Sequence, residues 1–86
     1  MLEIRKTDTY AKWLDGLRDL HARARIQVRV ERLAGGNPGD VKPVGDGVSE
    51  LRIDYGPGYR VYFKMCERTV VIFAGWERQA HSDSRY

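Results

Sequence analysis

A chain of 86 residues is one domain, because a second core would need far more polypeptide. Its apolar fraction of 42% matches an ordinary globular protein, and its 31% of charged residues are mixed in sign, which excludes a disordered chain. The single cysteine, Cys66, cannot form an internal disulfide, so nothing points to an oxidising compartment.

The net charge of +3 is small, but its distribution is uneven. Arg18, Arg23, Arg25, Arg29 and Arg32 lie in a span whose only acids are Asp19 and Glu31. A basic helix of this kind suits nucleic acid or an acidic protein partner, and equally a solvated face. The first residues, Met1-Leu2-Glu3-Ile4-Arg5-Lys6, put charges where a signal peptide needs its apolar stretch. No apolar run approaches the ~18 residues of a membrane span. A cytoplasmic protein is expected.

Leu2 to Lys6 alternates and predicts a first strand. Thr7, Asp8 and Thr9 are candidate N-caps for a helix whose Tyr10, Trp13, Leu14 and Leu17 fall on one face. Gly16 weakens that helix and is expected where another backbone comes close. After a break near Asp19 to Ala22, a second helix carries Ile26, Val30 and Leu33 on one side and Arg25, Arg29 and Arg32 on the other. Gly35-Gly36-Asn37-Pro38 stops it. Val41 to Val44 is a short strand that Pro43 assigns to an edge or a bulge.

Val48 to Tyr55 and Tyr59 to Met65 then alternate around a turn at Gly56-Pro57-Gly58. Leu51, Ile53, Tyr59, Val61, Phe63 and Met65 share a predicted core face. Glu50, Arg52, Asp54, Arg60, Tyr62 and Lys64 share the other. A register symmetric about the turn pairs Arg52 with Tyr62, Asp54 with Arg60 and Glu50 with Lys64. Such a face can hold a phosphodiester, and can equally be a solvated, salt-bridged surface. A last strand from Arg68 to Ala74 is continuously apolar at Val70-Val71-Ile72-Phe73-Ala74. Strands gathered after a helical pair indicate an α+β two-layer fold. Leu14, Leu17, Ile26, Val30, Leu51, Ile53, Val61, Phe63 and Val71 are its predicted core.

Several of these segments resemble one family. Glu50-Leu51-Arg52-Ile53, followed by Tyr55-Gly56-Pro57-Gly58-Tyr59-Arg60-Val61-Tyr62-Phe63, resembles the signature of RelE-superfamily toxins, in particular the HigB-like addiction module killer proteins. Arg23-Ala24-Arg25-Ile26 and Gly36-Asn37-Pro38-Gly39-Asp40-Val41-Lys42-Pro43-Val44-Gly45 extend the likeness, which runs from residue 2 to about residue 74. The resemblance implies a strand followed by a helical hairpin packed on a mainly antiparallel sheet of three to four strands. It also implies the toxin of a type II toxin–antitoxin module, with a helix-turn-helix antitoxin, mRNA and the ribosome as partners.

The tail departs from that pattern. HigB-like proteins follow the last strand with a Gly-Gly-x-Lys-x-x-Gln-x-x-Asp-Ile pattern leading into a helix. Here Gly75-Trp76-Glu77-Arg78-Gln79-Ala80-His81-Ser82-Asp83-Ser84-Arg85-Tyr86 shows no helical period. Permissible codons for this stretch, read from the second base of the Gly75 codon, spell Gly-Gly-Lys-Gly-Lys-Arg-Thr-Gln-Thr-Arg-Asp-Ile, the family tail. A single frameshift, natural or introduced, is the expected origin of the difference, and a genuine short-tailed homologue is the alternative. The expected organisation is one domain over 1–74 and a divergent, mobile tail over 75–86.

RelE-like toxins are metal-independent ribonucleases in which the RNA 2′-oxygen attacks phosphorus. That chemistry needs cations against the developing charge, a base and a proton donor. By the resemblance Arg60 matches the family's strand arginine and Arg52 a neighbouring basic position. Tyr62 and Lys64, with Arg25, Arg29 and Arg32, are further expected RNA contacts. His81, Arg78 and Tyr86 have suitable acid–base chemistry in the tail. Glu50 is a candidate base, although a lysine opposite would lower its pKa. With one Cys and two His, the residues offer no zinc spacing, and no cofactor is expected. Gly56-Pro57-Gly58 lacks the strand-to-helix context of a phosphate loop. Trp76 is expected to cover the sheet edge.

Overall fold

Thr7 ends a first strand, β1 (Glu3–Lys6), and starts a first helix, α1 (Asp8–Asp15). The computed structural model describes residues 2–77. The Thr7 backbone is extended, and its hydroxyl accepts the Tyr10 N–H at 3.1 Å while donating to the Phe73 carbonyl. One side chain thus satisfies a helix terminus and ties it to the sheet. The helix closes at Gly16, whose N–H returns to the Lys12 carbonyl at 3.0 Å. No other backbone closes on Gly16, since an added Cβ would meet only carbonyls of its own helix.

The second helix, α2 (Leu20–Ala34), begins before the expected break ends. The Asp19 carboxylate accepts the N–H groups of His21 and Ala22 at 3.0 and 3.2 Å, so the break is a cap and not a loop. Gly36, at φ 91°, ends the helix as the double glycine predicts.

Four further strands complete the sheet: β2 (Val41–Gly45), β3 (Val48–Ile53), β4 (Tyr59–Cys66) and β5 (Thr69–Glu77), in the order β1-β5-β4-β3-β2. The sheet has five strands because β1 joins it, parallel to β5, through the helical crossover. All other neighbours are antiparallel. β2 is an edge strand, and its register shifts between Pro43 and Gly45, where proline cannot supply a ladder N–H.

Both helices cover one face. Tyr10, Leu14, Ala22, Ile26, Val30 and Leu33 pack there against Leu51, Ile53, Tyr59, Val61, Phe63, Val70 and Ile72. Leu17 lies at the margin, and Met65 at the end of β4 is exposed. Val71 is a correction: its neighbours Val70 and Ile72 are fully buried, and Val71 points to the opposite face. An uninterrupted apolar run carries no alternation from which to choose. Cys66 ends β4 as an exposed thiol.

A bulge between Tyr62 and Phe63 on the β4–β5 ladder leaves Phe73 without a partner and changes the phase of β5. Gly75, not Ala74, then faces the helices. The Trp13 ring fills the space above it: a Cβ on Gly75 would lie 2.0 Å from Trp13 Cζ3. β5 therefore continues through Glu77, three residues beyond the expected strand end at Ala74.

Two measurements check this packing. Gly75→Ala should lower the denaturant midpoint by the equivalent of about 1–3 kcal/mol, because a partly buried indole must be displaced; an unchanged midpoint would contradict the contact. Tyr10 is fully buried, and its hydroxyl is unpaired among the described residues. Burial pushes this phenol up from 10.0 to about 12. The folded chain holds the proton more tightly, so this stability is intact below pH 10.0 and is lost as pH rises towards about 12. Tyr10→Phe should match or exceed the parent at pH 7 and lose less stability between those limits.

Candidate nucleic-acid interface

The geometry of the hairpin starts from its loop. Ile53 pairs with Tyr59, so the loop holds Asp54, Tyr55, Gly56, Pro57 and Gly58. The Gly58 N–H donates to the Tyr55 carbonyl at 2.9 Å, with Gly56 at φ 57° inside the turn. Tyr55 is drawn out of the ladder by α2, where the Arg25 guanidinium lies 4.6 Å from its ring centroid. The register therefore differs from the symmetric one. Arg52 pairs with Arg60 and not Tyr62, Glu50 with Tyr62 and not Lys64, and Lys64 with Val48. Asp54 has no ladder partner because the loop absorbs it.

On the face free of helices, cross-strand partners share a side, so rows can be followed over three strands. Arg52, Arg60 and Trp76 form one row; Glu50, Tyr62 and Ala74 form the next. Glu50 is buried at 7% exposure and anchors both rows. Its carboxylate accepts from Arg60 Nη1 at 2.8 Å and from the Tyr62 hydroxyl at 3.2 Å, and lies 3.8 Å from Arg52 Nε. Burial, and then the hydrogen bond to Glu50, raise the Tyr62 phenol above its ordinary pKa. A hollow of about 200 Å³ opens beside the pair, bordered by Asp40, Arg52, Asp54, Gly58 and Arg60 among others. Lys64 sits one row further, its side chain against Gly47 at the β2–β3 turn.

Trp76 was missed as a surface group. It lies inside β5, 48% exposed, beside Arg60 and away from the sheet edge. The extra residue at Phe73 turns it to this face; without that bulge Trp76 would follow Val70 and Ile72 towards the helices. Glu50 was seen as a base opposite a lysine; its actual neighbours are Arg60 and Tyr62, a difference that follows from the register.

The helical arginines lie on the other side of β3. Arg29 donates to the carbonyls of Arg52 at 2.8 Å, Pro38 at 3.2 Å and Asp40 at 3.4 Å, which makes it a tie between α2 and the strands. Arg25 stacks on Tyr55, and Arg32 remains exposed. With His21, Val28 and Asp54 these residues line an open groove of about 700 Å³. The structure thus divides the expected RNA contacts between two surfaces. Arg52, Arg60, Tyr62 and Lys64 belong to the open sheet face, and Arg25, Arg29 and Arg32 to the groove. Arg78, His81 and Tyr86 lie outside the described residues. Among the described residues no cluster of three His, Cys, Asp or Glu side chains is placed to hold a metal, and no helix is long and apolar enough to cross a membrane.

No family model matches the sequence. A Haemophilus influenzae protein described as uncharacterized is 49% identical over 71 residues, covering 83% of this chain and 72% of that protein. The isolated E. coli RelE toxin superposes with a TM-score of 0.76 at 13% identity, over 98% of this chain and 95% of that one. A chain of the RelB–RelE antitoxin–toxin complex from Methanococcus jannaschii gives 0.69 at 18% identity, over 92% and 95%. By sequence the chain belongs to the family of the Haemophilus influenzae protein, and its fold is that of the RelE toxins.

Proposed function

We propose that this protein is the toxin component of a type II toxin–antitoxin module, a metal-independent endoribonuclease of the HigB-like kind that cuts mRNA, with the ribosome as a setting for the cut. The row Arg52–Arg60–Trp76, on the open face of a RelE fold, is the observation that carries this reading. In the reaction the 2′-oxygen bonds to phosphorus as the bond to the 5′-oxygen breaks. A base takes the 2′ proton and an acid supplies one to the leaving oxygen. Two guanidinium groups over a buried carboxylate suit the charge that builds on the phosphoryl oxygens, and a planar fork spans two of them. Trp76 offers an exposed ring on which a base can stack. The Tyr62 hydroxyl is committed to Glu50, so proton transfer falls, in this reading, to His81 or Tyr86.

A helix-turn-helix antitoxin is the assigned partner. Support comes from the solved RelE-fold chain held in a complex with RelB antitoxin. The substrate makes the cytoplasm the site of action. A second reading rests on the tail, which leaves the family pattern from Trp76 onward: a catalytically impaired homologue that still binds antitoxin, RNA or ribosome. We propose that 1–74 is a single RelE/HigB-like domain and that a change of frame replaced the segment after it. The last three residues of β5 remain compatible with the fold.

Arg60→Ala should weaken binding of single-stranded RNA and flatten its salt dependence by about 0.7 in log–log slope, one phosphate contact. Binding and slope both unchanged would leave the arginine row a purely structural feature. On the second reading, expression of the 86-residue chain arrests growth weakly or not at all, and the shifted frame after Ala74 restores arrest and mRNA cleavage. Strong arrest by the chain as it stands, abolished in His81→Ala or Tyr86→Phe, would refute the impaired tail and make those residues catalytic.

A further inference from the structure

Glu50 is the buried charged residue among those described, and the reaction above gives it no step. A carboxylate taken out of water is costly unless it is paired and hydrogen-bonded. On a sheet face open to solvent, a neutral side chain would avoid that cost. Its surroundings are graded: the side chains of Glu50, Arg60 and Arg52 are 9%, 22% and 40% exposed. Glu50 is the floor of the site, and the guanidinium groups are its rim. Arg60 holds one carboxylate oxygen and Tyr62 the other, so the group is tethered from two sides. Asp40 and Asp54 also border the hollow, but both are exposed and neither bridges an arginine among the described residues.

The charges that touch one another are therefore two guanidinium groups and one carboxylate, which sum to one positive charge. We propose that Glu50 is a specificity-determining counter-ion that tunes the Arg52–Arg60 site to the single negative charge of an internal phosphodiester and against the near-double charge of a terminal phosphomonoester. This rests on the reading of that face as a phosphate site. A diester brought to the rim balances the arginine charge left over by Glu50. A monoester carries about −1.5 to −2 at neutral pH, so its extra charge faces a carboxylate that cannot swing away. Glu50 also orients Arg60, because its bond to Nη1 leaves the remaining guanidinium N–H groups for a ligand.

The test compares two small probes by chemical-shift titration at pH 7.5. One is a 2′-deoxy dinucleoside monophosphate, with one diester and no terminal phosphate. The other is the matching 2′-deoxynucleoside 3′-monophosphate. Neither can be cleaved through a 2′-oxygen. Glu50→Gln should shift the ratio of affinities towards the monoester by about three- to fivefold, the scale of one partly screened charge. Tyr62→Phe removes a tether and keeps the charge, and should leave the ratio within about twofold. An unchanged ratio in a folded Glu50→Gln protein, or a shift towards the diester, overturns the proposal. If that variant does not fold, the monoester's own titration serves on the parent chain. Its affinity should change less than about threefold as it becomes a dianion above its pKa of about 6, and a tenfold gain overturns the idea. Arg60→Ala separates the two levels. Loss of both probes supports the phosphate site, and retention of both refutes the site itself before Glu50 is at issue.

Discussion

Much of this structure depends on the place where the Trp13 ring lies over the backbone of Gly75. The contact holds α1 against β5, and it is possible only because position 75 has no side chain. It also settles the phase of β5 beyond the bulge. Once Gly75 faces the helices, Trp76 must face away from them, into the row that contains Arg60 and Arg52. A packing event on the covered side of the sheet thereby composes the open side. Trp13 is anchored in turn by neighbouring rings, with centroids 6.0 Å from Tyr10 and 6.4 Å from Tyr59.

The arginines illustrate how one residue type is divided between architecture and surface. Arg29 is used up on three backbone carbonyls, including that of Arg52, and so braces the strand that presents Arg52. Its five fixed donors suit this task in a way that lysine would not. Arg25 holds the hairpin tip through Tyr55. Arg52 and Arg60 are left to the open face, steadied by the single carboxylate beneath them. Basic residues that look equivalent along the chain thus have different work once burial and partners are known.

Periodicity made the layers legible: the helical stripe from Tyr10 to Leu14, the stripe from Ile26 to Leu33, and the two faces of the hairpin all lie where their spacing put them. What spacing could not supply was phase. The loop after Ile53 is five residues long because Tyr55 is drawn to Arg25, a contact between segments far apart in sequence. That moved each expected cross-strand pair by two residues, took Asp54 out of the ladder, and left Arg52, Arg60, Glu50 and Tyr62 on their expected face. β5 failed differently. Its unbroken apolar run carries no alternation, and its bulge is stabilised by Thr7 from the other end of the chain. Val71 differs from expectation for the first reason, and Trp76 because β5 runs past the expected end at Ala74. The arginine pair was visible from the motif, but the buried role of Glu50 needed the register.

The parallel pairing of β1 with β5 has a consequence for how the molecule comes into being. Glu3 lies beside Thr69 and Lys6 beside Ile72, so the sheet joins β1 to a strand more than sixty residues further along the chain. Closing so long a loop forfeits chain entropy before any contact rewards it, and folds dominated by such pairings form slowly. During synthesis, β1 waits without its hydrogen-bonding partner until β5 has left the ribosome. The bond from the Thr7 hydroxyl to the Phe73 carbonyl waits with it. The arginine row is thus aligned to Trp76 only once β5 is in place between β1 and β4.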